Sequence, residues 1–417
     1  MYATLSPLLV AASILGLGAA SSAQDGPDDW VVEADMIYTA AGDPIEDGRV
    51  VVSDGKIAAL GGSGSGDTLR VTAVTPGFVD LGISIDTGAL SVEQTTETAI
   101  TSRVADSLDL FSYRWTRALR HGVTTALASP ADYDVIGGLC TVLKTGGGSD
   151  LASREVKADA CLRASLGPQP STGNRTPSPF GEVSIYTRRP TTRMGVEWVF
   201  RKAYYDALNA KRFGLEATPE QEAGFEVLAK TLRGELPVIV RTVATQDVHT
   251  AAFLKQEFGI PRMILADAAE AWKEADLVKA CGAAVLLPPA PREGRVKDRF
   301  ANDTYLFALD AAARFHELGV PIALTGHATA DPEATLARQA GLAMRGGLPF
   351  EAALEAVTIA PARMVGVDDR VGSIEVGKDA DLVLWNGTPF ELTSRVVGVI
   401  LDGHLVLDPR AASGDDE

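Results

Sequence analysis

Residues 238–265 read Val238-Ile239-Val240-Arg241-Thr242, then a helical stretch at 250–258, then Met263-Ile264-Leu265. A short β-branched run, a helix and a second apolar run make the unit from which parallel sheets are built, since parallel neighbours need a long crossover. The unit recurs on both sides. Further strand-like runs fall at 123–127, 284–287 and 322–324, and helical stretches at 107–120, 195–208, 219–233, 306–318 and 332–345. Strand–helix alternation over this length predicts an α/β fold, a TIM-type (β/α)8 barrel. A doubly wound sheet is the alternative, but no Gly-rich nucleotide fingerprint follows a strand. Gly146-Gly147-Gly148 lacks the Lys-Ser/Thr of a phosphate loop and reads as a turn.

Outside the alternating region the grammar is purely β. Trp30–Ala34, Met36–Tyr38, Gly48–Val52 and Ile57–Leu60 are short strands, with Asp54-Gly55 at the centre of a hairpin turn. The far end repeats the pattern at 380–385, 396–401 and 405–407, with Asp402-Gly403 as a turn. Neither set has enough strands to bury a core alone. The two ends are therefore expected to join into one small composite β-sandwich. The boundaries expected are 24–77 and 365–411 for the sandwich and 78–364 for the barrel, with an acidic tail at 412–417.

The chain has 417 residues, 46% hydrophobic and 22% charged, which suits a sizeable core. Its formal charge of −17 opposes nucleic acid and anionic membrane surfaces as partners. Residues 8–20 are apolar and lead to Ser21-Ser22-Ala23, which reads as a signal peptide over residues 1–23 and an exported protein, periplasmic or extracellular. No Lys or Arg precedes that run, a departure from the usual signal. The three cysteines are Cys140, Cys161 and Cys281, so at least one thiol is unpaired within the chain, and a Cys140–Cys161 bridge stays open.

Several motifs carry a resemblance. Thr75-Pro76-Gly77-Phe78-Val79-Asp80, His121-Gly122-Val123-Thr124-Thr125, Thr358-Ile359-Ala360-Pro361-Ala362-Arg363 and Gly372-Ser373-Ile374-Glu375-Val376-Gly377-Lys378-Asp379-Ala380-Asp381 resemble signatures of the amidohydrolase superfamily. The match is most similar to its imidazolonepropionase-like branch, where Val135-Ile136-Gly137-Gly138 and Lys144-Thr145 also find echoes. The resemblance implies hydrolysis of non-peptide carbon–nitrogen bonds, of the cyclic amide or amidine type. It also implies zinc or another divalent metal at the C-terminal strand ends, which would ionise a bound water.

The same resemblance exposes a loss. Where the family continues Asp-x-His-x-His, this chain has Asp80-Leu81-Gly82-Ile83-Ser84, with Gly82 and Ser84 in place of imidazoles. Val243 and Thr245 stand at the fifth-strand histidines, Asp267 at the sixth-strand histidine, and His327 at the eighth-strand aspartate. Of five histidines, His121 and His316 precede strands and belong at the barrel bottom, and His404 belongs to the sandwich. Only His249 and His327 follow strands and can reach the mouth.

The favoured expectation is a pseudoenzyme with no metal cofactor. It would bind a small molecule, or form a homodimer or a heteromer with an active paralogue. A rewired hydrolase would instead converge His327, His249, Asp267 and Asp86 on one site, His327 being the catalytic candidate. The bland alternatives are a solvated His249, an Asp267 that caps a helix and an Asp86 in a turn. A third reading is metal-free: Lys144 as an amine at a strand end, with Arg193 in the basic run Arg188, Arg189, Arg193 as an anion clamp.

Overall fold

The computed structural model describes residues 28–82, 91–93, 95–172, 189–291, 295–297, 304–326 and 335–410. The expected signal peptide and acidic tail lie outside the described residues. The strands in chain order are β1 (Trp30–Ile37), β2 (Ile45–Ser53), β3 (Lys56–Leu60), β4 (Asp67–Pro76), β5 (Phe78–Asp80), β6 (Val123–Ala128), β7 (Ile136–Lys144), β8 (Glu155–Ser165), β9 (Val238–Arg241), β10 (Met263–Ala266) and β11 (Ala284–Leu287). They continue as β12 (Arg295–Lys297), β13 (Thr304–Leu306), β14 (Ile322–Leu324), β15 (Leu382–Trp385), β16 (Val396–Leu401) and β17 (His404–Leu407).

Both chain ends do come together. They hydrogen-bond as a single seven-stranded sheet, β17-β16-β15-β4-β1-β2-β3, in which β15 pairs antiparallel with β4 across the join. Val32, Val50, Val52, Leu69, Val74, Leu382 and Ile400 from both ends share one core. The two Asp-Gly turns form as the sequence predicts: Asp54 and Gly55 have φ of 51° and 74°, and Asp402 and Gly403 have φ of 48° and 81°. Paired positive φ values of this kind match the twist of the flanking strands.

The barrel is the eight-stranded sheet β14-β11-β10-β9-β8-β7-β6-β5. Val79, Leu127, Cys140, Val142, Cys161, Ile239, Ile264, Leu286 and Ala323 fill its interior, while Val123, Leu162, Val238, Val240 and Leu265 face the helices. No ladder joins β14 to β5. Between them lies the backbone of Ala356 and Val357, whose carbonyls accept from Leu324 N–H and Val79 N–H at 2.9 Å each. Several helices begin or end away from their expected bounds. The fifth-strand helix starts at Thr245 rather than 250, and residues 304–306 are a strand, with the helix confined to Ala311–Glu317. Among the described residues no helix is long and apolar enough to cross a membrane.

One strand breaks the (β/α) rule. β7 runs antiparallel to both β6 and β8, while the remaining neighbours are parallel. The connections explain it. Residues 129–135 and 145–154 are each too short for a parallel crossover. The reversal carries Lys144 to the opposite end of the barrel from the one expected. Lys144 pairs in register with Thr125, and its ammonium lies 2.8 Å from Asp381, 2.8 Å from Asp402 and 3.0 Å from Asp379. It is therefore a junction residue between barrel and end sheet, not an amine at the mouth.

The side chain of Lys144 is 2% exposed. Burial works against its charge, but Asp381, Asp402 and Asp379 outweigh burial and hold the ammonium ionised. Burial opposes ionisation of Asp379 too, yet Lys144, Lys56 and Arg370 keep it below the usual carboxylate range. Asp381 is pushed up, by burial first and by Asp402, despite Lys144. Removing the buried cation shared by all three carboxylates strands Asp381 in particular. Lys144→Met is expected to lower the unfolding free energy by about 3–5 kcal/mol, measured by urea titration, whereas Lys56→Met, at an exposed edge of the cluster, should cost far less.

Candidate functional site at the barrel mouth

The C-terminal ends of the parallel strands bring together charged side chains from four elements. Inward-facing positions alternate along a strand, so Arg163 follows Cys161 on the interior face of β8, and Arg241 follows Ile239 on that of β9. Asp132 lies in the link after β6, and Asp267 directly follows β10. Arg163 donates Nε–H and Nη2–H to the two oxygens of Asp132, both at 2.9 Å. Arg241 donates Nε–H to Asp267 Oδ2 at 3.2 Å and lies 3.6 Å from Asp132 Oδ2. The four groups form one ladder of alternating charge. The Arg163 and Arg241 side chains are only 10% and 12% exposed. Burial works against the Arg163 charge, and Asp132, its hydrogen bonds and Asp267 more than offset that, raising its pKa.

Two further clusters fix the rim. Asp247, in the first turn of the helix Thr245–Phe258, accepts from Ala244 N–H at 3.1 Å and is ion-paired with Arg193. Arg193 opens the helix Arg193–Phe213 and also donates to Tyr305 Oη at 3.4 Å. Glu270 is buried and accepts from Thr245 N–H and Oγ1–H at 3.2 and 3.0 Å, Lys273 Nζ at 2.6 Å and Leu306 N–H at 3.1 Å. Burial opposes its ionisation, but Lys273, Leu306 and Thr245 hold its carboxyl below the usual range. These contacts tie the β12–β13 hairpin, the helix after β9 and the segment after β10 into one wall.

Of the residues singled out from sequence, Asp267 joins this ladder, while the other described ones lie apart from it. His249 places Nε2 3.2 Å from Glu274 Oε1, with its side chain 43% exposed, on the helix rather than at a strand end. Asp267 does not cap a helix; it adopts φ of 51° and is engaged by Arg241. Arg193 is taken up by Asp247 and is not an open clamp. Val243 packs with Ala244, Ala269 and Tyr305 in a small apolar cluster. Ser84, Asp86, Arg188 and His327 lie outside the described residues. Asp132 and Arg163 were not anticipated. Their signal was an arginine two positions beyond an inward apolar residue, in a strand otherwise buried at its mouth end.

Comparison with known proteins bears on this arrangement. Residues 310–406 match the family model described as Amidohydrolase family. The crystal structure of an amidohydrolase from Thermotoga maritima MSB8 superposes with a TM-score of 0.77 at 27% identity, covering 91% of this chain and 100% of that one. An amidohydrolase of Hapsidospora irregularis is 26% identical over 306 residues, 69% of this chain and 31% of that protein. An imidazolonepropionase of Shewanella pealeana is 44% identical over 62 residues, 13% of this chain and 15% of the relative.

The chain belongs to the amidohydrolase superfamily.

It spans less than a third of the length of either curated relative. Among the described residues, those at the superfamily's ligand positions fit a divalent metal poorly. Gly82 and Val243 have no donor, the Thr245 hydroxyl is committed to Glu270, and Asp267 is committed to Arg241. Among the described residues no three His, Cys, Asp or Glu side chains group as a metal would need. The Gly82 position is also closed sterically. A Cβ there would fall 2.6 Å from Thr325 Cβ and Cγ2. The contact is held from beneath by buried Asp80, which accepts from Gly82 N–H at 2.9 Å and Gly326 N–H at 3.1 Å.

Gly82→Ala is therefore expected to destabilise the fold by about 1–3 kcal/mol through overpacking. In a Thr325→Gly background the same change should cost markedly less. A double-mutant cycle by thermal or urea unfolding reads the difference, and additive costs would show that the two residues do not meet.

Proposed function

We propose that this chain is a non-hydrolytic member of its superfamily, an exported binding protein or a partner subunit of an active relative. The observation that carries the reading is the Arg163–Asp132–Arg241–Asp267 ladder at the strand ends where the superfamily's chemistry takes place. A divalent cation set there would sit among guanidinium groups in a partly desolvated site, where like-charge repulsion is least screened. The ladder suits recognition instead. Arginine matches the planar geometry of carboxylates, and a carboxylate-bearing small molecule could exchange with Asp132 or Asp267 on the same donors.

The test has two readouts on the purified chain. Elemental analysis after native purification is expected to find zinc, iron and manganese far below stoichiometric. N-acyl dipeptides, cyclic amides and amidines are expected to pass through unhydrolysed. Calorimetry with the N-acyl dipeptides should show binding that Arg241→Ala weakens by about tenfold or more, the scale of a charged hydrogen bond. A stoichiometric metal removable only by strong chelators, together with turnover lost in His327→Ala, would overturn the reading and restore a hydrolase.

A further inference from the structure

The interior of the barrel holds two thiols face to face. Cys140 of β7 and Cys161 of β8 are register partners across an antiparallel pair, and both are unbridged. They are 1% and 0% exposed. Opposed residues of an antiparallel pair have Cα atoms roughly 4.5–5.5 Å apart, inside the span a disulfide bridges. This pairing exists only because β7 is reversed. In an all-parallel barrel the two residues would not meet in this way.

The surroundings favour reaction over inert packing. Arg163 lies two residues beyond Cys161 on the same interior face, toward the mouth. The Ser129 side chain follows β6 and also bears on the Cys140 sulfur. Burial raises the Cys140 pKa, but Cys161, Ser129 and Arg163 together bring it below the ordinary thiol value, while burial and its neighbour push Cys161 up. With the sulfurs opposed across the ladder, ionising one holds the proton on the other, and the pair can supply a nucleophilic and a resolving thiol. Cys281 shares none of this; it ends the helix Ala275–Cys281 on the outer layer.

We propose that Cys140 and Cys161 are a peroxide-oxidised dithiol couple at the floor of the barrel mouth, forming a reversible disulfide that clips β7 to β8. The chemistry balances with hydrogen peroxide as the oxidant. The Cys140 thiolate attacks one peroxide oxygen, the O–O bond breaks, and the released hydroxide takes a proton to leave as water. The Cys140 sulfenic acid is then attacked by the Cys161 sulfur, which loses its proton. The S–O bond breaks, the S–S bond forms and a second water departs. Peroxide is small and neutral, so it can reach a site walled off from larger disulfide oxidants. The inference does not depend on the function proposed above.

The test uses the full chain, first reduced, freed of reductant and treated with hydrogen peroxide. After denaturation and alkylation, the reduced protein should carry three alkyl groups, one per cysteine, and the oxidised protein one. Peptide mapping should place the link between Cys140 and Cys161, and dithiothreitol should restore all three thiols. The oxidised form should melt at a higher temperature, and the shift should vanish on reduction. Cys281→Ser should leave the response intact, and Cys161→Ser should stop at an oxygen adduct on Cys140. An oxidised chain that still takes three alkyl groups, carries oxygen on both sulfurs, or links only through Cys281 between molecules overturns the proposal. These readings on the parent protein decide the matter even if a cysteine variant fails to fold.

Discussion

Everything in this molecule meets at one buried ammonium. Lys144 faces Asp379, Asp381 and Asp402, three carboxylates supplied by the last forty residues of the described chain, from its own place at the end of a barrel strand. Three acids in that space would repel one another without it, and the lysine could not be buried without them. The ion cluster therefore fixes the orientation of the end sheet on the barrel. It also depends on the reversed strand, because only a β7 that runs downward delivers a lysine to that junction. Lys56 and Arg370 complete the neutralisation of Asp379 from the sheet side.

At the other end of the barrel a second set of opposite charges does different work. Asp132, Arg163, Arg241 and Asp267 come from the link after β6, from β8, from β9 and from the residue after β10, and each is paired with another. The arrangement keeps two guanidinium groups at the strand ends, each held by a carboxylate. Around it, Asp247 with Arg193 and Glu270 with Lys273 hold the hairpin and helices that form the rim. The geometry is that of paired charges over the apolar interior of the barrel.

Much of the fold could be read from the residues alone, because strand and helix periods differ and the Asp-Gly turns carry their own geometry. The direction of β7 could not. All nine of its residues are buried, so nothing in the strand itself marks its direction, which follows from the short connections once the bounds of β8 are known. The misplaced Lys144 followed from that single reversal. Of the site, Asp267 was legible, together with the positions Gly82, Val243 and Thr245, which offer no imidazole. What replaced it was obscured, since Arg163 and Arg241 are ordinary strand residues until Asp132 and Asp267 are seen beside them. His249 misled because the polar run Thr245-Gln246-Asp247 hides the start of its helix.

The meeting of Gly82 with Thr325 sets an order on any evolutionary path through this barrel. A bulky side chain can return to position 82 only after position 325 has been emptied, and emptying 325 first leaves a void between the first and last strands that natural selection would see as a loss of stability. Positions 82 and 325 are thus tied to one another, and the size of the side chain at one limits what the other can accept on any path through sequence space.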